Sequence, residues 1–182
     1  MSSYLIVAAT AAEAAYVPSH LTKVITGIGK TAAATAVARA LATADTDDLE
    51  VINIGTAGAL RDGLTGLFEP GQVLNHDISA DALRSLGYDP QDHLVVGDSE
   101  CVLASGDVFV TDPLVRARLA ERAHLVDMEG YAVAWAARQD AVPVRFVKHV
   151  SDNADEGAFD WTTVVDASAR VLGEWLGDSL LG

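Results

Sequence analysis

Short apolar runs alternate along this chain with longer, Ala-rich stretches that repeat with a helical period. Apolar runs of about four to eight residues bounded by glycine or polar residues are typical of buried strands, whereas longer runs with apolar residues every three or four positions are typical of helices. This pattern predicts strands at residues 4–9, 23–26, 51–54, 72–78, 101–104, 125–127 and 143–150. It predicts helices at residues 30–44, 113–122, 130–140 and 162–181. Strands that alternate with helices favour a layered α/β domain.

Two segments differ in how clearly their pattern predicts secondary structure. Residues 79–98 are polar and rich in turn-forming residues, and their pattern predicts neither a helix nor a strand. The helix at residues 113–122 has a clearer start, because Asp112 is a good capping residue and Pro113 suits the first helical position. The chain carries no linker, repeat or low-complexity segment. We therefore expect residues 1–182 to form a single domain.

Composition and charge narrow the classes of function. The chain has 182 residues, half of them apolar, which is enough to bury a substantial core. Its net charge of −14 argues against nucleic acid or an anionic membrane as a partner. No apolar run reaches the roughly 18 residues that span a bilayer, and the first residues lack the pattern of a signal peptide. Cys101 is the only cysteine, so no internal disulfide can form, and we expect a cytoplasmic protein.

Two carboxylates stand in the otherwise apolar segment 125–135. Asp127 and Glu129 lie where a strand pattern gives way to an Ala-rich helical pattern. Burying an unpaired carboxylate costs several kcal/mol, so both side chains need a partner or a function. Open α/β sheets place ligand groups at such strand ends. A carboxylate there can accept hydrogen bonds from the hydroxyls of a sugar.

A glycine-rich turn precedes the helix at residues 30–44 and resembles two phosphate-binding motifs. The P-loop is excluded, because Val24 stands where that motif needs a glycine. The looser dinucleotide fingerprint fits Gly27, Gly29 and Ala32, but the next strand ends in Asn53 and carries no acidic residue there. A dinucleotide site is therefore disfavoured. The simpler interpretation is a tight turn whose backbone N–H groups suit an anion or a polar ligand.

Five segments carry glycines or carboxylates at predicted strand ends: residues 27–30, 55–58, 105–109, 126–129 and 150–155. In this order they resemble the purine nucleoside phosphorylase and nucleosidase superfamily, and most of all its methylthioadenosine/S-adenosylhomocysteine nucleosidases. The resemblance runs from about residue 4 to the C-terminal helix. It implies a single-domain, three-layer α/β/α fold around a central mixed, partly barrel-like sheet. It also implies a homodimer that cleaves the N-glycosidic bond of a purine nucleoside.

The resemblance assigns the chemistry to three carboxylates. Asp152 would donate a proton to N7 of the purine, with Ser151 orienting it; the alternative is an exposed residue of an acidic loop. Glu129 would bind the ribose 2′ and 3′ hydroxyls, with Met128 packing on the sugar. As a carboxylate at a helix start, Glu129 would also interact favourably with the helix dipole. Glu13 would orient and activate the attacking water, although a surface charge on an Ala-rich helix start fits Glu13 equally well.

The remaining residues implied by the resemblance surround the base and the nucleophile. Phe109 would be an aromatic platform for the base, with a core phenylalanine as the alternative, and Val110 would supply backbone hydrogen bonds. The residues expected near the nucleophile are Thr56, Ala57 and Gly58. Asp127 and Asp107 are expected to be structural. The five histidines show no metal-ligand spacing, and we expect neither a metal nor a cofactor.

Water is the expected nucleophile. Hexameric phosphorylases of this superfamily carry an arginine where this chain has Asn53, and their N-terminal Gly-Asp-Pro phosphate loop is replaced here by residues 8–13. Both differences favour hydrolysis. A phosphate-dependent phosphorylase, a futalosine hydrolase and a non-catalytic nucleoside-binding domain stay open as alternatives. The 5′ substituent is also open, and methylthio, homocysteinyl, futalosine-like and plain hydroxyl groups all fit.

Overall fold

The computed structural model describes residues 3–155 and 161–180. The strands are β1 (Ser3–Ala8), β2 (Thr22–Ile25), β3 (Leu49–Ala59), β4 (Leu67–Phe68), β5 (Gln72–Asn75), β6 (His93–Val95), β7 (Val102–Ser105), β8 (Leu125–Asp127) and β9 (Val144–Asp152). The helices are α1 (Lys30–Leu41), α2 (Ala80–Ser85), α3 (Pro113–Ala120), α4 (Gly130–Gln139) and α5 (Trp161–Leu180). None of the helices within these two ranges is long and apolar enough to cross a membrane.

All nine strands belong to one mixed sheet, whose main path runs β2-β1-β3-β8-β7-β5-β6. Strands β1, β2, β3 and β9 pair in parallel, as do β5, β7 and β8. These two parallel groups meet where β8 pairs antiparallel to β3. The short strand β4 adds an antiparallel pair to β9. The mixed α/β architecture predicted from the alternating pattern is therefore confirmed.

Strand β3 connects the two halves of the sheet. Its first residues, Leu49–Asn53, pair with β1, and its last two, Gly58 and Ala59, pair with β8 along the same edge. The other edge of β3 pairs with β9 from Val51 to Gly58. The carboxyl-terminal ends of β1, β3, β8 and β9 therefore come together around the second half of β3.

Helices cover both faces of the sheet. Neighbouring residues of a strand point to opposite faces, and in β1 Leu5 and Val7 pack with residues of α1 and α4, such as Val37 and Val133. Ile6 and Ala8 instead join the core that includes Leu172 and Leu176 of α5. A third cluster lies beneath α3. This gives the three layers that the sequence predicts.

Several predicted boundaries are wrong. Sequence predicts that the third strand ends at residue 54, but β3 continues to Ala59, because β9 supplies hydrogen bonds along its whole second half. Helix α1 ends at Leu41 and β5 ends at Asn75, each three residues before its predicted end. Residues 79–98 contain α2 and β6, and β4 was not foreseen. The predicted end of the last helix, residue 181, lies outside the described residues.

The start of α3 agrees with its sequence prediction. The side chain of Asp112 accepts a hydrogen bond from the backbone N–H of Leu114 at 2.7 Å, and Pro113 begins the helix. Such a cap satisfies one of the N–H groups that a helix start leaves without an intrahelical acceptor.

Candidate active site

A pocket of about 400 Å³ lies where the ends of β1, β3, β8 and β9 meet. A volume of this size suits a small organic ligand. The pocket is lined by all ten residues that sequence predicts for the site: Glu13, Thr56, Ala57, Gly58, Phe109, Val110, Met128, Glu129, Ser151 and Asp152. Their co-location is a property of the structure, whereas the role of each stays a prediction.

Glu13 is buried and fully engaged in hydrogen bonds. Its Oε1 accepts from the backbone N–H and the hydroxyl of Thr56, at 2.8 and 2.9 Å. Its Oε2 accepts from the backbone N–H and the hydroxyl of Thr10, at 3.1 and 3.0 Å. With 5% of Glu13 exposed, its alternative interpretation as a surface charge is wrong. The turn after β1 therefore presents a carboxylate of fixed orientation to β3.

Asp152 is the last residue of β9, where it pairs with Gly58 of β3. Its Oδ2 accepts a hydrogen bond from the hydroxyl of Ser151 at 2.6 Å, and its Oδ1 accepts from the backbone N–H of Ala154 at 2.8 Å. Asp152 is half-buried and lines the pocket. These contacts fix the position of the carboxyl group at the strand end.

Glu129 immediately precedes α4, but its side chain makes no capping hydrogen bond to that helix. Its Oε1 instead accepts from the backbone N–H of Gly29 at 2.8 Å, at the start of α1. Glu129 is 8% exposed, and burial, together with the nearby charge of Asp127, raises its pKa to about 7. The N–H of Gly29 and the ammonium group of Lys148 offset only part of this rise.

The glycine turn before α1 serves carboxylates of the chain itself. Gly29 adopts a φ of 95°, which favours glycine, and its N–H points to Glu129. The next N–H, from Lys30, donates to Oδ1 of Asp107 at 2.7 Å. Since both N–H groups have internal acceptors, neither is available to a dinucleotide phosphate, and Asp107 holds the turn at the start of α1.

Asp127 takes part in a buried ion pair. Its Oδ2 lies 2.9 Å from Nζ of Lys148, and both side chains are nearly inaccessible to solvent. Its carboxylate also accepts hydrogen bonds from the hydroxyl of Ser105 and the backbone N–H of Gly130. The first of the two carboxylates in segment 125–135 is thus paired within the protein, which agrees with a structural role.

Comparisons with known proteins agree with this geometry. No family model matches the chain. The chain is 28% identical over 152 residues to the aminodeoxyfutalosine nucleosidase of Helicobacter pylori strain 26695, and 30% identical over 152 residues to that of strain J99. Each match covers 70% of this chain and 66% of the relative, so the chain spans just under two thirds of the length of these curated relatives.

Solved structures share the fold over almost the whole chain. A mutant of the H. pylori methylthioadenosine/S-adenosylhomocysteine nucleosidase with 5′-methylthioadenosine in its active site superposes with a TM-score of 0.83 at 22% identity, covering 99% of this chain and 98% of that one. The Streptococcus pneumoniae enzyme with a transition-state inhibitor gives 0.78 at 23% identity, covering 96% and 98%. The fold that this resemblance implies is therefore confirmed.

Sequence reasoning missed several residues around the pocket. Lys148 is one, although a lone lysine in an apolar strand was a usable signal, since such a charge needs a buried partner. Another is Trp161, the first residue of α5, whose indole N–H donates to the hydroxyl of Thr56 at 2.7 Å. Thr10 was missed as a partner of Glu13. The sequence gives no signal for the Trp161 contact, because it joins distant elements, whereas Thr10 and Glu13 lie three residues apart, at the spacing of a capping box.

The mouth of the pocket is apolar. Phe109 is 48% exposed and lines the pocket, so its alternative interpretation as a core residue is wrong. Ile28 and Val108 also line the pocket and are 63% and 53% exposed. An aromatic ring at the mouth can stack on a flat heterocycle.

All the ionisable side chains that line the described part of the pocket are carboxylic acids. Four carboxylates line it, from Glu13, Asp127, Glu129 and Asp152, and no Lys, Arg or His belongs to the described residues that do so. Across residues 3–155 and 161–180, no three side chains of His, Cys, Asp or Glu form a group that could hold a metal ion. Such a pocket favours a neutral ligand or one that develops positive charge.

Proposed function

We propose that this chain is a purine nucleosidase. It would hydrolyse the N-glycosidic bond of a 5′-modified purine nucleoside to the free base and the ribose moiety. The observation that carries the proposal is the convergence of Asp152, Glu129 and Glu13 on one pocket of about 400 Å³, each from a different strand end. Cleavage of this bond requires protonation of the base, binding of the sugar and activation of water.

The base is a poor leaving group unless it gains a proton. Asp152 is the proposed general acid toward N7 of the purine. The hydroxyl of Ser151, 2.6 Å from Oδ2, holds the carboxyl group in one rotamer. Phe109 would stack on the base at the mouth of the pocket. Val110, which is 5% exposed, would contribute backbone groups to the base edge.

The sugar acquires positive charge as the bond breaks, which the acidic pocket would stabilise. Glu129 is the proposed ribose clamp. Gly29 holds Oε1, and Oε2 can accept hydrogen bonds from ribose hydroxyls. Met128 lines the same part of the pocket and would pack against the sugar.

Glu13 is the proposed base for the attacking water. Each of its carboxylate oxygens accepts one backbone N–H and one hydroxyl O–H, from Thr56 and from Thr10. The backbone donors are fixed, whereas the hydroxyl of Thr10 can rotate and yield its place on Oε2 to water. Ala57 and Gly58 continue the wall of the pocket beyond Thr56.

Hydrolysis is favoured over phosphorolysis. Phosphate is a dianion that proteins bind with Arg, Lys or unpaired backbone N–H groups. The described lining of this pocket offers carboxylates and no cationic side chain. Asn53 stands where hexameric phosphorylases carry arginine, and it is 1% exposed, with its amide donating to the carbonyl oxygen of Val7 at 3.0 Å. It would not reach a phosphate in the pocket.

The decisive experiment measures base release from a panel of nucleosides with and without inorganic phosphate. The panel contains methylthioadenosine, S-adenosylhomocysteine, aminodeoxyfutalosine and adenosine, which differ at the 5′ position. We expect release at the same rate in both conditions. Release that requires phosphate would identify a phosphorylase, and tight binding without turnover would identify a nucleoside-binding domain. The curated relatives make aminodeoxyfutalosine an essential member of the panel.

We also propose a homodimer in the cytoplasm. Exposed apolar side chains cluster around the pocket mouth, among them Ile28, Val108 and Phe109, and a second copy would cover them. Cys101 is the only cysteine of the sequence, so no internal disulfide can form, which suits a reducing compartment. Sedimentation velocity tests the dimer, and a monomer across the micromolar range would contradict it.

A further inference from the structure

Trp161 makes a contact with the candidate site that the proposed roles do not use. It is the first residue of α5, is half-buried and lines the pocket. Its indole Nε1 lies 2.7 Å from Oγ1 of Thr56, and that same oxygen lies 2.9 Å from Oε1 of Glu13. The three side chains therefore form a continuous hydrogen-bonded chain from α5 through β3 to the turn after β1.

The direction of this chain follows from what each group can do. An indole N–H only donates, so Oγ1 of Thr56 must accept from Trp161. An ionised carboxylate only accepts, so the single hydroxyl proton of Thr56 must point at Glu13. With Trp161 in place, the hydroxyl of Thr56 cannot reverse its role without losing both hydrogen bonds.

This fixed direction would orient a water molecule in the site. The hydroxyl oxygen has two acceptor positions, and Trp161 occupies one of them. A water next to Thr56 can therefore only donate to the remaining position, since the hydroxyl proton is committed to Glu13. Such a water directs its hydrogens at Thr56 and Glu13 and leaves an oxygen lone pair free to face the sugar carbon.

We propose that Trp161 is a positioning residue for the attacking water. It acts through Thr56 and touches neither the water nor the reacting atoms by its N–H group. Without this N–H, the Thr56 hydroxyl would rotate among several orientations, and the water beside Glu13 would adopt productive and unproductive ones. This inference rests on the proposed function, because it concerns the nucleophile of that reaction.

The first test is Trp161→Phe, which removes the N–H and keeps an aromatic ring. Since one hydrogen bond contributes about 1 kcal/mol, we expect kcat to fall by up to about tenfold while KM changes by less than about threefold. The matched control is Trp175→Phe. Trp175 belongs to the same helix, and its indole N–H donates to Glu69 at 3.2 Å, away from the pocket lining. We expect this control to keep the kcat of the unaltered protein.

A double-mutant cycle with Thr56→Val distinguishes positioning from a purely structural role. If Trp161 acts through the Thr56 hydroxyl, Trp161→Phe lowers kcat in the unaltered protein but has no further effect once that hydroxyl is gone. The same loss in both backgrounds, or an unchanged kcat for Trp161→Phe, would overturn the inference alone, since the unaltered protein would still release base. Failure of the unaltered protein to turn over any nucleoside would overturn the proposed function and this inference together.

A spectroscopic measurement keeps the inference testable if Trp161→Phe does not fold. The chain has three tryptophans, so its ¹H–¹⁵N spectrum contains three indole N–H signals. Thr56→Val removes the acceptor of Trp161, and we expect that single signal to move upfield and to exchange faster with solvent. If all three signals keep their positions and exchange rates, the Trp161–Thr56 hydrogen bond does not exist in solution, and the inference fails.

Discussion

At the scale of single residues, the candidate site consists of three carboxylates in three different environments. Glu13 is saturated with hydrogen bonds, Glu129 is buried with one oxygen available, and Asp152 is half-buried at a strand end. Environment is what separates the functions of chemically similar groups. Each role can therefore be tested by a substitution that removes charge and keeps shape.

Asp152→Asn removes the proposed proton donor while preserving the size of the side chain. We expect a folded protein whose base release falls by at least about a hundredfold, because general acid catalysis contributes on this scale. Asp155→Asn is the control, since it removes an equal charge from the same loop outside the described pocket lining. Turnover of Asp152→Asn close to that of the unaltered protein would refute the general-acid assignment.

Glu129→Gln should stabilise the fold at neutral and higher pH while abolishing activity. The pKa of Glu129 rises from 4.5 to about 7 in the folded protein, so between these values the folded state binds a proton that the unfolded chain releases. The stability of the unaltered protein therefore decreases as pH rises from about 4.5 to about 7 and is constant above. Glutamine has no such ionisation, and its Oε1 can still accept from Gly29.

Glu129→Gln should raise the free energy of unfolding by at most about 3 kcal/mol above pH 7, and this increase should vanish near pH 4.5. Denaturant unfolding at a series of pH values measures it. Glu121→Gln, on an exposed position just after α3, removes the same charge from the surface and should show no comparable pH dependence. A gain that does not change with pH would contradict the expected burial of the charge.

At the scale of elements, β8 and β9 are joined by charge as well as by packing. Lys148 of β9 and Asp127 of β8 pair at 2.9 Å with almost no exposure, although these strands are not hydrogen-bonded neighbours in the sheet. Both contact β3 from opposite edges. The ion pair therefore bridges the strand that carries Thr56 and connects the elements that carry Glu129 and Asp152.

Lys148→Met leaves the carboxylate of Asp127 buried without its counter-charge. We expect it to lower the free energy of unfolding by about 3–5 kcal/mol, because a buried charge without a partner is costly. Adding Asp127→Asn should recover a large part of the loss. The matched control is Arg145→Met in the same strand, whose pair with Glu50 is more exposed and should cost less than about 1 kcal/mol. Equal losses at both positions would contradict this account.

Elements that have a local sequence signal were predicted correctly, whereas elements that depend on distant strands were not. The start of α3 and the whole of β8 agree with prediction, because a capping residue and a short apolar run are local signals. The predicted end of β3 was wrong, because Gly55 and Gly58 weaken a strand locally. Strand β9, which is distant in sequence, supplies the hydrogen bonds that continue β3 past these glycines. Residues 79–98 were unassigned for the same reason. Strand β6 exists there by pairing with β5, not through its own pattern.

At the scale of the whole molecule, one sheet with helices on both faces brings seven separate segments of the chain to one pocket. Parallel pairing of β1, β3 and β9 aligns their carboxyl ends, and the antiparallel contact of β8 with β3 adds the segment that contains Glu129. The carboxylates of the pocket then face one another. Burial is the main cause of the raised pKa of Glu129, and this convergence adds to it through the charges of Asp127 and Glu13.

The sequence by itself determined the α/β class, the approximate positions of most strands and helices, and the residue types of the candidate site. These depend on local periodicity and on motifs that lie within a few residues of each other. Only the tertiary structure decided which of those residues share a pocket, that Asp127 pairs with Lys148, that Gly29 holds Glu129, and that Trp161 orients Thr56. Such contacts join residues far apart in the chain, and only the packing of strands and helices sets their distances and burial.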